Sequence, residues 1–294
     1  DDAVFCTGGR YGRVVAMYGD DVLAAVTVDD GDNIDRSSSV SVGIFNRNVT
    51  SWSNTAKLTA NDSAQNDWFG ISVGISGDYI IIGAHGDDDN GSETGAAYIF
   101  KRDNGAETWT QTAKLVGDTS NTRFGIQSAI DGDYAIVGAM YENNKRGSVS
   151  IFKRDDSAET WTKQEKIIGE ADNDYFGSSV SIHGDYAIAA AYKNDNLKGS
   201  AYIYKRNGTS WSQTAKIQAN DGEENDYFGY YQQVFINGNY VIIGAHGYDG
   251  GENNEIYNSG SAYIFKRDND AETWTQTAIL VGDNPGESDV FGND

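Results

Sequence analysis

FGSSVSIHGDYAIAAA at residues 176–191, followed by GSAYIYKR at residues 199–206, decides the fold. After Phe176-Gly177, the segment Ser178 to His183 alternates small polar and apolar residues and stops at Gly184-Asp185, the signature of a short strand entering a tight hairpin turn. Tyr186 to Ala191 is almost continuously apolar, which suits a strand covered on both faces. Gly199 to Arg206 has a period of two, with Ala201 and Ile203 on one face and Tyr202 and Tyr204 on the other. Asn207-Gly208 then turns the chain into Trp211 to Ile217, which completes a unit of four antiparallel strands.

The unit recurs five times. Its aromatic-Gly anchors are Tyr11-Gly12, Phe69-Gly70, Phe124-Gly125, Phe176-Gly177 and Phe228-Gly229. A turn follows each at Gly19-Asp20, Gly77-Asp78, Gly132-Asp133, Gly184-Asp185 or Gly238-Asn239, and Trp52, Trp109, Trp161, Trp211 or Trp274 opens the fourth strand. Four-stranded antiparallel modules that are apolar on both faces and repeat along a chain predict an all-β propeller, with blades at about 10–58, 68–115, 123–167, 175–217 and 227–280 in one domain. Residues 281–294 approach a sixth unit and carry Phe291-Gly292. The reading adopted is closure at five with this tail closing or docking. A larger ring, or a tail seated on a neighbouring copy, remains the alternative.

The anchors, together with Ile82-Gly83-Ala84-His85, Val137-Gly138-Ala139-Met140 and Ile243-Gly244-Ala245-His246, resemble FG-GAP repeats, the family that also builds the propeller of integrin α subunits. The resemblance implies an extracellular or cell-surface propeller used for adhesion or ligand binding and often bearing calcium. Two features depart from the family pattern. His85, Met140 and His246 stand where the family has Pro, and the integrin-type calcium loop between the first two strands is replaced by a bare Gly-Asp turn with no room for six oxygen ligands.

Composition narrows the function. With 22 Lys plus Arg against 44 Asp plus Glu, the formal charge of −22 repels nucleic acid phosphates and anionic membranes. No stretch approaches the length of a membrane span, and Asp1-Asp2 has no signal-peptide character, so an exported form would already have lost its leader. Cys6 has no partner for a disulfide within the chain and reads as a small buried apolar residue. Gly70-Ile-Ser72-Val-Gly74 matches a nucleophile motif, but the position opens a strand rather than a strand-to-helix elbow. His85, His183 and His246 form no zinc or Ser/His pattern, and the first and last occupy equivalent repeat positions as local structural choices. The chain is therefore expected to be non-catalytic.

Acid clusters offer weak metal candidates. They are Asp29, Asp30, Asp32 and Asp35; Asp87, Asp88 and Asp89; Asp62 and Asp67; Asp172 and Asp174; and Asp221 and Asp226. The carboxylate two residues before each Phe is expected to cap a turn by accepting backbone N–H bonds, with calcium as the competing reading. Asn48, Asn61, Asn90 and Asn207 are candidate glycosylation sites. The Trp residues are expected between blades rather than on a sugar platform, and the Lys-Arg pairs are expected to meet the next acidic segment. The functional expectation is an adhesion or assembly module, such as a subunit of a surface layer or fibre, with protein partners or copies of itself. The alternative is a lectin with glycan sites in loops between blades.

Overall fold

The structure, a computed structural model, describes residues 10–27, 41–48, 50–103, 108–250, 256–283, 286 and 288–292. Cys6 and the cluster Asp29, Asp30, Asp32 and Asp35 lie outside the described residues. The fold is all-β, a propeller with five blades of four antiparallel strands. Blade 1 contains β1 (Arg10–Tyr18), β2 (Asp21–Thr27), β3 (Ser41–Asn48) and β4 (Ser51–Leu58). Blade 2 contains β5 (Phe69–Ser76), β6 (Tyr79–Ala84), β7 (Ala96–Arg102) and β8 (Trp109–Val116). Blade 3 contains β9 (Gln127–Asp131), β10 (Tyr134–Ala139), β11 (Ser148–Asp155) and β12 (Thr160–Ile168). Blade 4 contains β13 (Phe176–His183), β14 (Tyr186–Ala191), β15 (Ser200–Asn207) and β16 (Ser210–Ile217). Blade 5 contains β17 (Val234–Asn237), β18 (Tyr240–Ala245), β19 (Ser261–Arg267) and β20 (Trp274–Leu280).

The chain divides into two compact units, 1–135 with 153–162, and 136–152 with 163–294. In the first, the face of blade 1 that carries Leu23, Ala25, Val42 and Ile44 packs on the face of blade 2 that carries Val73, Ile75, Ile80 and Ile82. In the second, Tyr186, Ile188, Ala190 and Ile203 of blade 4 pack on Val234, Ile236, Val241 and Ile243 of blade 5 in the same manner. Both faces of a blade are thus consumed by its neighbours, which is why the second strand of each inner blade is buried along its whole length, as in β6 and β14. The outer Trp side chains stitch these contacts. Trp161 meets Tyr79 edge-on at 6.2 Å, and Trp274 meets Tyr186 at 6.1 Å. Trp52 is the exception and is exposed.

The anchors Phe124, Phe176 and Phe228 each begin their blade while seated on the blade before it. The seat is a glycine with positive φ: a Cβ would fall 2.1 Å from the Phe124 carbonyl oxygen at Gly95, 2.0 Å from that of Phe176 at Gly147 and 2.2 Å from that of Phe228 at Gly199. Only a residue without Cβ allows that approach at φ of +82° to +88°. The tail uses the same seat on blade 5. The Phe291 amide donates to the Ser259 carbonyl at 3.0 Å, and Phe291 forms a parallel bridge with Gly260. Asp289, two residues before this Phe, accepts the Gly286 amide at 2.6 Å. Phe291-Gly292 therefore occupies blade 5 as a sixth anchor would.

The lone Ser-motif position lies inside β5. Ser72 is buried, and its hydroxyl meets the Gly125 carbonyl at 3.1 Å and the Ser128 hydroxyl at 2.8 Å. It is a bridging side chain rather than a nucleophile on an elbow.

Candidate functional site

In blades 2, 4 and 5 the residue before the anchor and the residue after the second strand come together at one end of the blade. In the first unit these are Trp68 and His85, 5.8 Å apart. In the second they are Tyr175 with Tyr192, and Tyr227 with His246. Blade 5 adds two more rings because its path from anchor to first strand, Phe228 to Val234, is two residues longer than Phe176 to Val180. The insertion carries Tyr230 and Tyr231. Tyr141, beyond the end of β10, completes the group.

These seven rings form one aromatic cluster. Tyr141 meets Tyr175 at 5.5 Å, Tyr175 meets Tyr192 at 5.4 Å, and Tyr192 meets Tyr230 at 4.8 Å. Tyr230 contacts Tyr231 and His246, both at 4.7 Å, while His246 stacks on Tyr227 at 5.2 Å with 9° between planes. Tyr175 and Tyr192 are buried and form the floor; Tyr141, Tyr227, Tyr230 and Tyr231 are partly open to solvent. Burial pushes the Tyr192, Tyr230 and Tyr231 hydroxyls up, and neighbouring tyrosines add to it, so all stay protonated at neutral pH. Burial lowers His246, which favours the neutral ring that shares a 3.4 Å contact with the Gln233 amide. Lys193 lies 4.7 Å over Tyr175 and Lys145 5.8 Å over the same ring, placing two cations beside an aromatic patch of a strongly acidic chain.

Tyr175 and Tyr227 hold left-handed φ of 58° and 57°, as do Trp68 and Arg123 at the equivalent position. The turn into the anchor imposes this backbone on blades 2 to 5, so the position is set by the fold and the ring by the sequence.

The acid candidates separate into different roles. Asp62, Asp87 and Asp89 bring carboxylate oxygens within 4.8 Å of one another. At their centre lies the Lys114 ammonium, 2.8 Å from Asp62, 2.8 Å from Asp87 and 2.7 Å from Asp89. The Tyr98 hydroxyl donates to Asp87 at 2.7 Å. Three oxygens around an ammonium are a fitted lysine seat. Calcium needs six to eight oxygens in the space that Lys114 fills, so these residues do not fit that ion. The seat recurs: Lys166 meets Glu142 at 2.6 Å, and Lys216 meets Glu170 at 2.8 Å.

Asp88 is exposed and outside the group. Asp67 accepts the Ala64 amide at 2.6 Å and Asp226 the Glu223 amide at 2.7 Å, the expected turn caps. Asp174 instead accepts the Asn194 side-chain amide at 2.7 Å, and Asp172 pairs with Arg146 at 2.8 Å. Asp221 is exposed, near Tyr248 and Tyr263. Burial pushes Asp226 up to about 6 against the pull of its amide bond, with the charges of Glu223, Asp221 and Asp249 adding to the rise. Asn61, Asn90 and Asn207 are exposed; the Asn48 side chain is outside the described residues.

The Lys-Arg pairs divide their partners. Lys101 reaches Glu159 of the next blade at 2.6 Å and Lys205 reaches Glu272 at 2.8 Å, while Arg154 and Arg206 pair with Asp133 and Asp185 in the first turns of their own blades.

No residue of the aromatic cluster except His246 was singled out from sequence. The available signal was the Tyr-Phe-Gly at 175–177 and 227–229 and the Tyr-Tyr insertion after Gly229.

Among solved structures, the chain is similar to a Lactobacillus plantarum protein at 11% identity and a TM-score of 0.54, over 84% of this chain and 64% of that one. It thus spans less than two thirds of that protein. It is also similar to a Bacteroides uniformis protein described as a candidate 6-phosphogluconolactonase, at 14% identity and a TM-score of 0.57, over 92% of this chain and 71% of that one. Both likenesses concern the fold alone. The second nevertheless corrects the expectation of a non-catalytic chain: this architecture is shared with a candidate enzyme, so missing Ser/His and zinc patterns do not exclude catalysis. No curated protein sequence matches the chain. No helix among the described residues is long and apolar enough to cross a membrane. The FG-GAP repeat profile matches residues 52–100, 109–152, 161–204 and 211–265, together more than half of the sequence, and the chain belongs to the FG-GAP repeat family.

Proposed function

We propose that this FG-GAP chain is an extracellular adhesion module whose ligand is a carbohydrate held on the tyrosine cluster of the second unit. The supporting observation is the convergence of Tyr141, Tyr175, Tyr192, Tyr227, Tyr230 and Tyr231 with His246, a concentration of rings that core packing alone does not require at the ends of strands. Tyr couples a flat apolar face to a hydroxyl, which matches a sugar ring that offers C–H groups on one face and hydroxyls at its rim. Tyr also loses little conformational freedom on binding, since it has two side-chain torsions. Lys145 and Lys193 favour sugars that carry a negative group.

The test is a glycan array followed by calorimetry on wild type and Tyr230→Ala. Removal of a ring that touches Tyr192, Tyr231 and His246 should weaken binding about tenfold or more, or ~1.4 kcal/mol, with the circular dichroism spectrum unchanged. Equal binding by both proteins, or no glycan bound by wild type, would sink the reading. The lactone named for the Bacteroides uniformis protein is itself polyhydroxylated, so lactone hydrolysis is assayed on the same pair.

A further inference from the structure

Blades 2, 3 and 4 each close a seat of carboxylate and hydroxyl groups with their own lysine; blade 5 keeps part of the seat and loses the lysine. In blade 2 the Lys114 ammonium lies between Asp62 and Asp87, and Tyr98 opposes it across the β7–β8 ladder with its ring 5.3 Å away. In blade 4 Lys216 opposes Tyr202, its ammonium 5.1 Å from that ring, and both groups reach the same oxygen of Glu170 at 2.8 Å. In blade 3 Lys166 meets Glu142, which also accepts the Ser148 hydroxyl.

Blade 5 lays out corresponding parts inside the second unit. Asp221 precedes Asp226 by the five residues that separate Asp62 from Asp67, and the Asn220 amide donates to Gln276 at 2.9 Å as the Asn61 amide does to Gln111. Tyr263 stands where the other blades have Tyr98 and Tyr202, but across the ladder from it is Ile279. Tyr248 replaces the acid of Asp87 and Glu142 three residues after the second strand. Two hydroxyls are left over. Tyr263 and Ser261 are fully buried, and neither hydroxyl has a hydrogen-bond partner among the described residues, although Asp221 lies beside Tyr263. Their counterparts are all engaged: Tyr98 on Asp87, Tyr202 on Glu170, Ser148 on Glu142 and Ser200 on Asn194. A buried hydroxyl left unpaired is costly, and here it points to a group that the blade itself does not supply. The surroundings are negative, since Glu223, Asp221 and Asp249 all act on Asp226.

We propose that the blade 5 seat binds a primary ammonium group carried by a ligand, with Asp221 as its counter-ion and the hydroxyl and ring of Tyr263 as its floor. An ammonium fits better than a metal ion. Among the described residues only Asp62, Asp87 and Asp89 gather three carboxylates closely enough for one, whereas a charged amine needs a single carboxylate and neutral oxygens for its other donors. The face of Tyr263 adds the attraction that Tyr98 and Tyr202 give to their lysines. Asp62 and Glu170 are 36% and 50% exposed even with lysine in place, so the opening at the exposed Asp221 belongs to the design of the seat. The inference does not rest on the glycan reading.

The test titrates the protein with Nα-acetyl-lysine amide and, separately, with glucosamine, each against tetramethylammonium at equal ionic strength, read by thermal melts and by amide NMR shifts of residues 221–226. Tetramethylammonium carries the charge but donates no hydrogen bond. Wild type should bind at least one primary amine more tightly, and the preferred one shows whether the group comes from a protein side chain or an amino sugar. Tyr263→Phe removes only an unpartnered hydroxyl and should weaken that binding about tenfold or more. Ile279→Lys installs the residue that blades 2, 3 and 4 use, so it should raise the melting temperature and abolish amine binding. No preference for a primary amine in wild type, binding unchanged in either variant, or a wild-type melt raised by calcium and by neither amine would each overturn the proposal.

Discussion

Replacing Lys114 by methionine keeps the aliphatic stem and removes the ammonium from the Asp62, Asp87 and Asp89 seat. Three carboxylate oxygens within 4.8 Å of one another would then face no in-chain cation. The partners are not equal. The Asp87 side chain is 4% exposed, and its Oδ1 has no hydrogen-bond partner among the described residues, so it cannot replace Lys114 with solvent. Asp62 and Asp89 are 36% and 63% exposed, and water screens them. Breaking a buried pair costs about 3–5 kcal/mol and an exposed one about 0–1 kcal/mol. With Lys114 itself partly exposed, the expected loss is about 3 kcal/mol at pH 7, read by urea denaturation with an unchanged m-value.

The pH dependence follows from the same groups. Burial works against the Lys114 ammonium, yet its bonds to the three carboxylates hold its pKa above the ordinary amine value, so its contribution is complete at neutral pH and fades only in strong base. Burial raises Asp62, but the bonds from Lys114 and Tyr98 outweigh it and leave it below 3.8. Its share is present above that value and disappears as pH falls through the lower, folded one. The gap between wild type and variant should hold from neutral to mildly alkaline pH and close in acid. In the variant, calcium should raise the melting temperature, with no such effect on wild type. A gap under about 1 kcal/mol at pH 7, or one that persists unchanged in acid, would refute the reasoning.

Gly199→Ala should destabilise by ~3 kcal/mol in denaturant melts, because alanine is strained at φ +88° and its Cβ would sit 2.2 Å from the Phe228 carbonyl oxygen. Asp226→Asn tests the opposite electrostatic sign: with Asp226 at about 6 in the fold, its penalty is absent below 3.8, grows between 3.8 and about 6, and is constant above. The variant keeps an oxygen for the Glu223 amide, so it should match wild type in acid and exceed it by about 1–2 kcal/mol above pH 6. Deletion of residues 282–294 removes the amide bonds from Ser288, Val290 and Phe291 to Tyr257, Asn258 and Ser259, and should cost roughly 1–3 kcal/mol of stability in thermal melts.

The fold was legible because repetition averages away local ambiguity. A single stretch such as Tyr186 to Ala191 has no decisive period, but its recurrence at Tyr79 to Ala84 and Tyr134 to Ala139, each after a Gly-Asp turn, leaves an antiparallel sheet buried on both sides. The turn caps at Asp67 and Asp226 were legible for a related reason: an Asx residue that accepts an amide three residues back is a local event. The Lys114 seat was not. Asp62 and Asp87 flank the anchor of their blade, while Lys114 is on its outer strand, and acids read without their lysine look like a metal site. The spacing was nonetheless present in sequence, since Lys57, Lys114, Lys166 and Lys216 all stand five residues after the Trp that opens the strand.

The tyrosine cluster escaped for a different physical reason, and that reason bears on its function. Its members occupy positions where the repeat dictates backbone but not side chain: Trp68, Arg123, Tyr175 and Tyr227 share one left-handed conformation, and His85, Met140, Tyr192 and His246 follow the same strand. A fold that tolerates Arg and Met at these places does not need Tyr there. In blades 4 and 5 aromatic residues fill these places and a two-residue insertion adds Tyr230 and Tyr231, against the spacing that every other anchor with a paired first strand keeps. Rings that stability does not demand, gathered by an insertion that breaks the repeat, are better explained by something they hold than by the blade they terminate.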